Sequence, residues 1–139
     1  MKAIVTATTR IGVQFYDLDP MNIVWHGNYA RFFELGRCAL LAKIDYTYAG
    51  MQASGYAWPV IDMHVRYYRP LELGQHAEIT AGVTEWENRL AISYLITDIE
   101  TGKKMTRGHT VHVAVDMQSK EMLWETPPIL REKLSPYLP

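Results

Sequence analysis

The stretch from Tyr16 to Arg37, YDLDPMNIVWHGNYARFFELGR, constrains the fold more than any other. Two acidic residues spaced by one, Asp17 and Asp19, precede Pro20, which has no backbone donor and forbids a continuing strand. Asn22, Gly27 and Asn28 add turn chemistry. Beyond Asn28 the apolar period becomes helical: Phe33, Leu40, Leu41 and Ile44 fall on one stripe at spacings of three, four and seven. Asn28 is the expected N-cap, its side-chain oxygen accepting from a first-turn amide. An aspartate-bearing loop thus feeds the N-terminus of a buried helix. Free N–H groups and a partial positive charge at that end can hold an oxyanion.

A carboxylate facing such a helix end suits acyl transfer. It attacks a carbonyl, or activates a water that does, while backbone amides stabilise the negative oxygen. Taken alone, an Asp-x-Asp before proline is more often turn and capping chemistry. The cluster Tyr29, Phe32 and Phe33 is more often core than pocket. On the residues alone the plainer reading of each half stands.

Around this stretch the chain alternates in strand fashion. From Ile4 to Tyr16, Ile11, Val13 and Phe15 alternate with Arg10, Gln14 and Tyr16, as in a half-buried strand. The helix is expected from Asn28 to Ala42 or Ile44, with Cys38, Ala39 and Ala42 small where a sheet wraps closely. Gly36, about 1 kcal/mol worse than Ala in a helix, suggests close backbone approach. Asp45 to Trp58 is irregular and aromatic, a continued helix and a covering loop. In Val60 to Tyr68, Ile61, Met63, Val65 and Tyr67 face one way and Asp62, His64, Arg66 and Tyr68 the other. Ala77–Trp86, Leu90–Asp98 and Met105–Asp116, joined by tight turns, form an antiparallel meander. Thr126 and Pro127 open a short C-terminal helix. One helix between a first strand and four later ones is an α+β layout.

The 139 residues fit one domain with one core. No run approaches the roughly 20 apolar residues of a membrane span, and the N-terminus lacks the pattern of a secretory signal. A single cysteine, Cys38, excludes an internal disulfide and suits the reducing cytoplasm. A net charge of −1 leaves no basic footprint for nucleic acid.

Other chemistries find little support. His109 and His112, three apart on a strand, point to opposite faces, which argues against a metal site. A calcium loop beginning at Asp17 fails, because Met21 is no ligand and Asn22 stands where glycine is required. No Gly-x-Ser-x-Gly elbow is present. Glu34 is explained by an ion pair with Arg31 or Arg37 on the same helix, and Cys38 by packing.

Asp17-x-Asp19-Pro20, then Ile23-Val24-Trp25-His26-Gly27-Asn28-Tyr29 and Phe32-Phe33-Glu34, resembles the signature of the 4-hydroxybenzoyl-CoA thioesterase family of hotdog-fold acyl-CoA thioesterases. Length and element order are similar over nearly the whole chain. The resemblance implies a single hotdog domain over residues 1–139, a long central helix wrapped by a curved, antiparallel five-stranded sheet. It implies hydrolysis of an acyl-CoA thioester with Asp19 as the catalytic carboxylate and the backbone amide of His26 as oxyanion donor. No cofactor or metal enters that chemistry. Asn28, Tyr29, Trp58, Asp62 and His64 are the implied substrate-binding residues. Arg89, at the turn between the third and fourth expected strands, is the implied candidate for the coenzyme A phosphates, with Arg66, Lys103, Lys104 and Arg107 as further candidates. The resemblance also implies a homodimer or homotetramer with the site at the subunit interface. Asp62 and His64 stand where the 4-hydroxybenzoyl-specific pattern has small polar residues. The acyl group is therefore left open, as is coenzyme A against a carrier protein. A hotdog dehydratase using His26, and a non-catalytic dimer binding acyl-CoA or acyl-carrier protein, are the alternatives.

Overall fold

The apolar stripe after Asn28 produces the central element, α1 (Asn28–Lys43), whose inward face buries Tyr29, Phe32, Phe33, Gly36, Leu40 and Leu41. A computed structural model describes residues 2–139, so Met1, the first residue of the expected domain span, lies outside the described residues. Gly36 is the point of closest approach: a Cβ there would lie 2.8 Å from Cγ2 of Ile79, so only glycine lets helix and sheet meet. Cys38 and Ala42, expected on the wrapped face, are exposed instead. Their small size is not what admits the sheet.

The remaining elements follow in order: β1 (Val5–Gly12), α2 (Tyr48–Ser54), β2 (Tyr56–Ala57), β3 (Val60–Tyr67), β4 (His76–Glu85), β5 (Leu90–Asp98), β6 (Lys104–His112), β7 (Val115–Asp116) and α3 (Pro128–Leu134). Five strands form one antiparallel sheet in the order β1-β4-β5-β6-β3. The meander β4-β5-β6 is its centre, and α1 packs across β1, β4 and β5. Ile79, Ala81, Val83, Ile92, Tyr94 and Ile96 supply the sheet's side of the core. The ring of Phe33 stacks on Tyr94 with centroids 4.4 Å apart, an arrangement that adds on the order of 1 kcal/mol beyond area burial. This is the hotdog arrangement.

Several elements depart from the sequence-based expectation. The first strand stops at Gly12 rather than running to Tyr16. A 3-10 turn over Phe15–Asp17 follows, leaving Phe15 and Tyr16 exposed. Asp17 makes that turn by accepting the backbone N–H of Gln14 at 2.9 Å, a local bond that outcompetes strand alternation. The stretch after α1 is a separate helix, α2. Thr47 caps it, accepting the N–H of Gly50, and Gly55 closes it in the left-handed region. The long last strand breaks after His112, and β7 turns away to pair with β2 in a second, two-stranded sheet.

β3 occupies one edge of the main sheet. A bulge between Val60 and Asp62 shifts its register, so Val60 joins Met63, Val65 and Tyr67 on the helix-side face. On that face Val60 is 43%, Met63 46% and Tyr67 47% exposed. α1 packs across β1, β4 and β5 and meets this edge through the ring of Tyr29 against Tyr67.

Candidate active site

The loop from Asp17 to Gly27 is a small hairpin. Leu18 bridges Val24, the N–H of Asp19 donates to the carbonyl of Ile23 at 2.8 Å, and the N–H of Asn22 donates to the carbonyl of Asp19 at 3.0 Å. Asn22 takes the left-handed conformation, φ 64°, that closes the turn. Asp17 and Asp19 have separate tasks. Asp17 is buried; its carboxylate pairs with Arg31 on α1 and accepts from Gln14. It anchors the loop. Asp19 is half-buried, and one of its oxygens accepts the N–H of Met21 at 2.8 Å. Its side chain lines a recess of about 310 Å³ together with Met21, His26, Tyr29, Tyr67 and Tyr68.

The helix start differs from expectation in one detail that matters to the site. Gly27, not Asn28, is the N-cap, and no side chain caps the end. Asn28 is the first helical residue, and its amide Nδ2 donates to the carbonyl of Asp17 at 2.9 Å. Asn28 thus ties the loop to the helix rather than lining the recess. The backbone N–H of Asn28 donates to Trp25, and that of Tyr29 donates weakly, at 3.4 Å, to His26. The N–H of His26 has no acceptor among the described residues. Gly27 is required because a Cβ there would lie 2.4 Å from the ring of Trp25, which covers the turn.

Tyr29 and Tyr67 form the floor. Their rings meet edge to face with centroids 4.9 Å apart. Tyr29 accepts the N–H of Leu71 at 3.3 Å, and Tyr67 donates to the carbonyl of His26 at 3.0 Å. Burial pushes both phenols above their ordinary value, so each keeps its proton. Tyr67, Tyr68, Arg69 and Pro70 were not singled out as site residues. The one signal was a tyrosine pair at the end of an alternating strand, which says nothing of the loop it meets.

The remaining expected site residues lie elsewhere in the chain. Asp62, His64 and Arg89 share a second recess, of about 500 Å³, on the sheet face turned away from α1. Arg89 is held there by Glu85 at 3.1 Å. Trp58 is buried and lines neither recess; its indole N–H donates to the hydroxyl of Tyr46 at 3.1 Å. Tyr68 is the residue common to both recesses.

A polar cluster that sequence reasoning missed lies under the sheet. His109 and His112 do point to opposite faces, and His112 is fully buried. Arg37 donates to its Nδ1 at 2.7 Å, so the ring is neutral with its proton on Nε2, donating to Thr110 at 2.8 Å. Burial, with the Arg37 charge beside it, brings the His112 pKa down to about 4. Arg37 also pairs with Glu34 at 3.1 Å and donates to Tyr48 at 2.8 Å, the first being the helix ion pair anticipated for Glu34. Among the described residues no three His, Cys, Asp or Glu side chains are grouped to hold a metal ion. No helix there is long and apolar enough to cross a membrane.

A long helix wrapped by an antiparallel five-stranded sheet defines the class: a hotdog-fold protein. The chain belongs to the thioesterase-like superfamily, whose family model matches residues 13–134. A Synechocystis protein provisionally named esterase sll0410 is 31% identical over 125 residues, 89% of this chain and 75% of that one. The Bacillus subtilis protein YneP, provisionally named an acyl-CoA thioesterase, is 29% identical over 110 residues, covering 78% of this chain and 79% of its own. Among solved structures, a DHNA-CoA thioesterase from Staphylococcus aureus is 25% identical, with a TM-score of 0.84 over 94% of this chain and 89% of that one. The enzyme class that goes with this membership is thioester hydrolase.

Proposed function

We propose that the protein hydrolyses acyl-CoA thioesters to the free acid and coenzyme A. Asp19 acts as nucleophile or general base, and the backbone amide of His26 receives the developing oxyanion. One observation carries this reading. Asp19 and His26 line the same recess, and the His26 N–H has no acceptor among the described residues. Thioesters have little resonance stabilisation, so a positioned carboxylate and one or two amide donors are sufficient machinery. The imidazole of His26 is exposed and needs no role in this scheme. His26→Tyr is the deciding experiment: turnover on an acyl-CoA panel should persist. Its abolition, with coenzyme A binding intact, would make the imidazole a base and favour a dehydratase-like reaction.

The active unit in this proposal is at least a dimer, paired through β3. An isologous pairing of an edge strand with its own copy is antiparallel. It sets the Tyr67 end of one β3 against the Val60 end of the other. The Asp19 recess of one protomer then lies beside the Val60 end of the partner's β3. The exposed apolar residues of β3 supply the reason to pair. Placement within the 4-hydroxybenzoyl-CoA-like branch rests on the Asp17 to Tyr29 string. With Asp62 and His64 at the wall, the acyl group need not be 4-hydroxybenzoyl. A single hotdog domain in the cytoplasm, as the lone cysteine suggests, completes the reading.

A further inference from the structure

Alternation along a strand sends neighbouring side chains to opposite faces, yet Tyr67, Tyr68 and Arg69 all line the recess that holds Asp19. The backbone explains how. The N–H of Tyr68 and the N–H of Arg69 both donate to one carbonyl, that of Met105, at 2.9 and 3.1 Å. Two residues set against one make a β-bulge, which bends the end of a strand and re-aims its side chains. Pro70 follows at once, and the residue before a proline is pushed to extended backbone. The exposed side chain of Arg69 therefore hangs from a fixed support at the rim of the recess. Its charge is left unmatched there. Arg10, Arg31, Arg37 and Arg89 each hold a carboxylate, whereas Arg69 takes part in no ion pair among the described residues. Asp19 is the one carboxylate among the described residues that line this recess, and it accepts from the N–H of Met21 instead of pairing with Arg69. The hydroxyls of Tyr29 and Tyr67 are already engaged, with Leu71 and His26. Met21, Ile23, Val24 and Pro70 make the other walls apolar.

We propose that the acyl group taken here carries a second carboxylate, which Arg69 binds while Asp19 and the amide of His26 act on the thioester carbonyl. The substrate class is then a coenzyme A monothioester of a short dicarboxylic acid. A carboxylate has two oxygens and one charge, which a single guanidinium fork satisfies with two parallel bonds. A neutral alkyl chain filling the same space would strip water from Arg69 and give it no partner, a cost that an acyl carboxylate removes. At about 310 Å³ the recess is at the small end for a ligand pocket, which favours a short chain. Where the carbonyl lies rests on the proposed hydrolysis; the pairing of Arg69 with an anionic acyl end does not.

The test compares kcat/KM for glutaryl-CoA and pentanoyl-CoA, acyl groups of equal carbon number that differ in the terminal carboxylate. It is run on the wild type, Arg69→Gln, Arg69→Lys and the charge control Arg10→Gln. The wild type and Arg10→Gln should prefer the glutaryl ester. Arg69→Gln should lower the glutaryl-to-pentanoyl ratio by about 10-fold or more, the range for losing a hydrogen bond to a charged group. Arg69→Lys keeps the charge without the fork and should fall between. The ratio is taken within one protein, so a partly unfolded variant does not distort it. A ratio unchanged by Arg69→Gln overturns the proposal, as does a wild-type preference for pentanoyl-CoA. Equal rises in KM for both esters also overturn it, because they assign Arg69 to the part of coenzyme A that the esters share. A second arm repeats the comparison by titration calorimetry, with analogues in which a methylene replaces the thioester sulfur. Arg69-dependent preference for the glutaryl analogue, in a protein that hydrolyses neither ester, keeps the acyl site and strikes the proposed function. Hydrolysis of both esters with no discrimination in either arm keeps the function and strikes the acyl site. Neither hydrolysis nor analogue binding strikes both.

Discussion

The hydroxyl of Tyr67 donates to the main-chain carbonyl of His26 at 3.0 Å, so the end of the edge strand holds the turn that begins α1. The bond spans 41 residues of sequence. It orients the peptide next to the proposed oxyanion donor while leaving the His26 N–H free. Tyr67→Phe keeps the ring contact with Tyr29 and removes only this bond. A net hydrogen bond is worth about 1 kcal/mol, so stability should change little. The kcat should fall by roughly 3- to 10-fold, with KM nearly constant. A rise in KM alone would assign Tyr67 to substrate binding.

Asp19→Asn preserves side-chain size and the accepted bond from Met21 but removes nucleophilicity and basicity. Turnover should fall by at least ~10²-fold, with affinity for a non-hydrolysable acyl-CoA analogue little changed. Thermal denaturation of the variant should match that of the wild type.

Asp17→Asn should give the opposite signature. It leaves Arg31 and the buried turn without their carboxylate, at a cost of about 1–3 kcal/mol. The midpoint in urea should drop, while the kcat of the remaining folded protein holds near the wild-type value. Equal loss of turnover at Asp17 and Asp19 would instead indicate a pair sharing one proton.

His112 titrates near 4 when folded, below its ordinary value near 6.5. The native state therefore refuses a proton that the unfolded chain accepts. The contribution is fully present above pH 6.5 and is lost as the pH falls toward 4. At about 1.4 kcal/mol per pKa unit, the loss is on the order of 3 kcal/mol. Urea melts between pH 7 and pH 4 should show this slope, and His112→Gln should flatten it. An equal slope in both proteins would place the titration elsewhere.

Met63→Lys puts a charge in the middle of the exposed face of β3, the usual way an edge strand is kept from pairing. Sedimentation should show a shift toward monomer, and specific activity should fall on dilution. Full activity in a monomeric variant would remove the shared-site proposal.

Helix α1, the meander and the aspartate loop were legible because each is written in local chemistry. The stripe from Phe33 to Ile44 has a period only a helix can bury, and Pro20 with Asn22 forces a turn wherever the chain goes next. Gly36 announced close packing because glycine has little other reason to stand inside a helix. The hidden features depend on residues far apart in sequence. Whether Phe15 continues a strand was decided by Asp17 bonding to Gln14, and whether β3 is covered was decided by α1 lying on β1, β4 and β5. Asn28 carries cap chemistry, yet it was drawn to the carbonyl of Asp17 once the loop folded back on the helix. Tyr67 meets His26, and Arg37 meets His112, only after the sheet brings its edge against the helix. Sequence alone determined which residues form the helix and the loop, because periodicity and turn preference act over a few residues. Which side chains share a recess was settled only by the tertiary fold, because contact across a sheet depends on register and on what each strand lies beside.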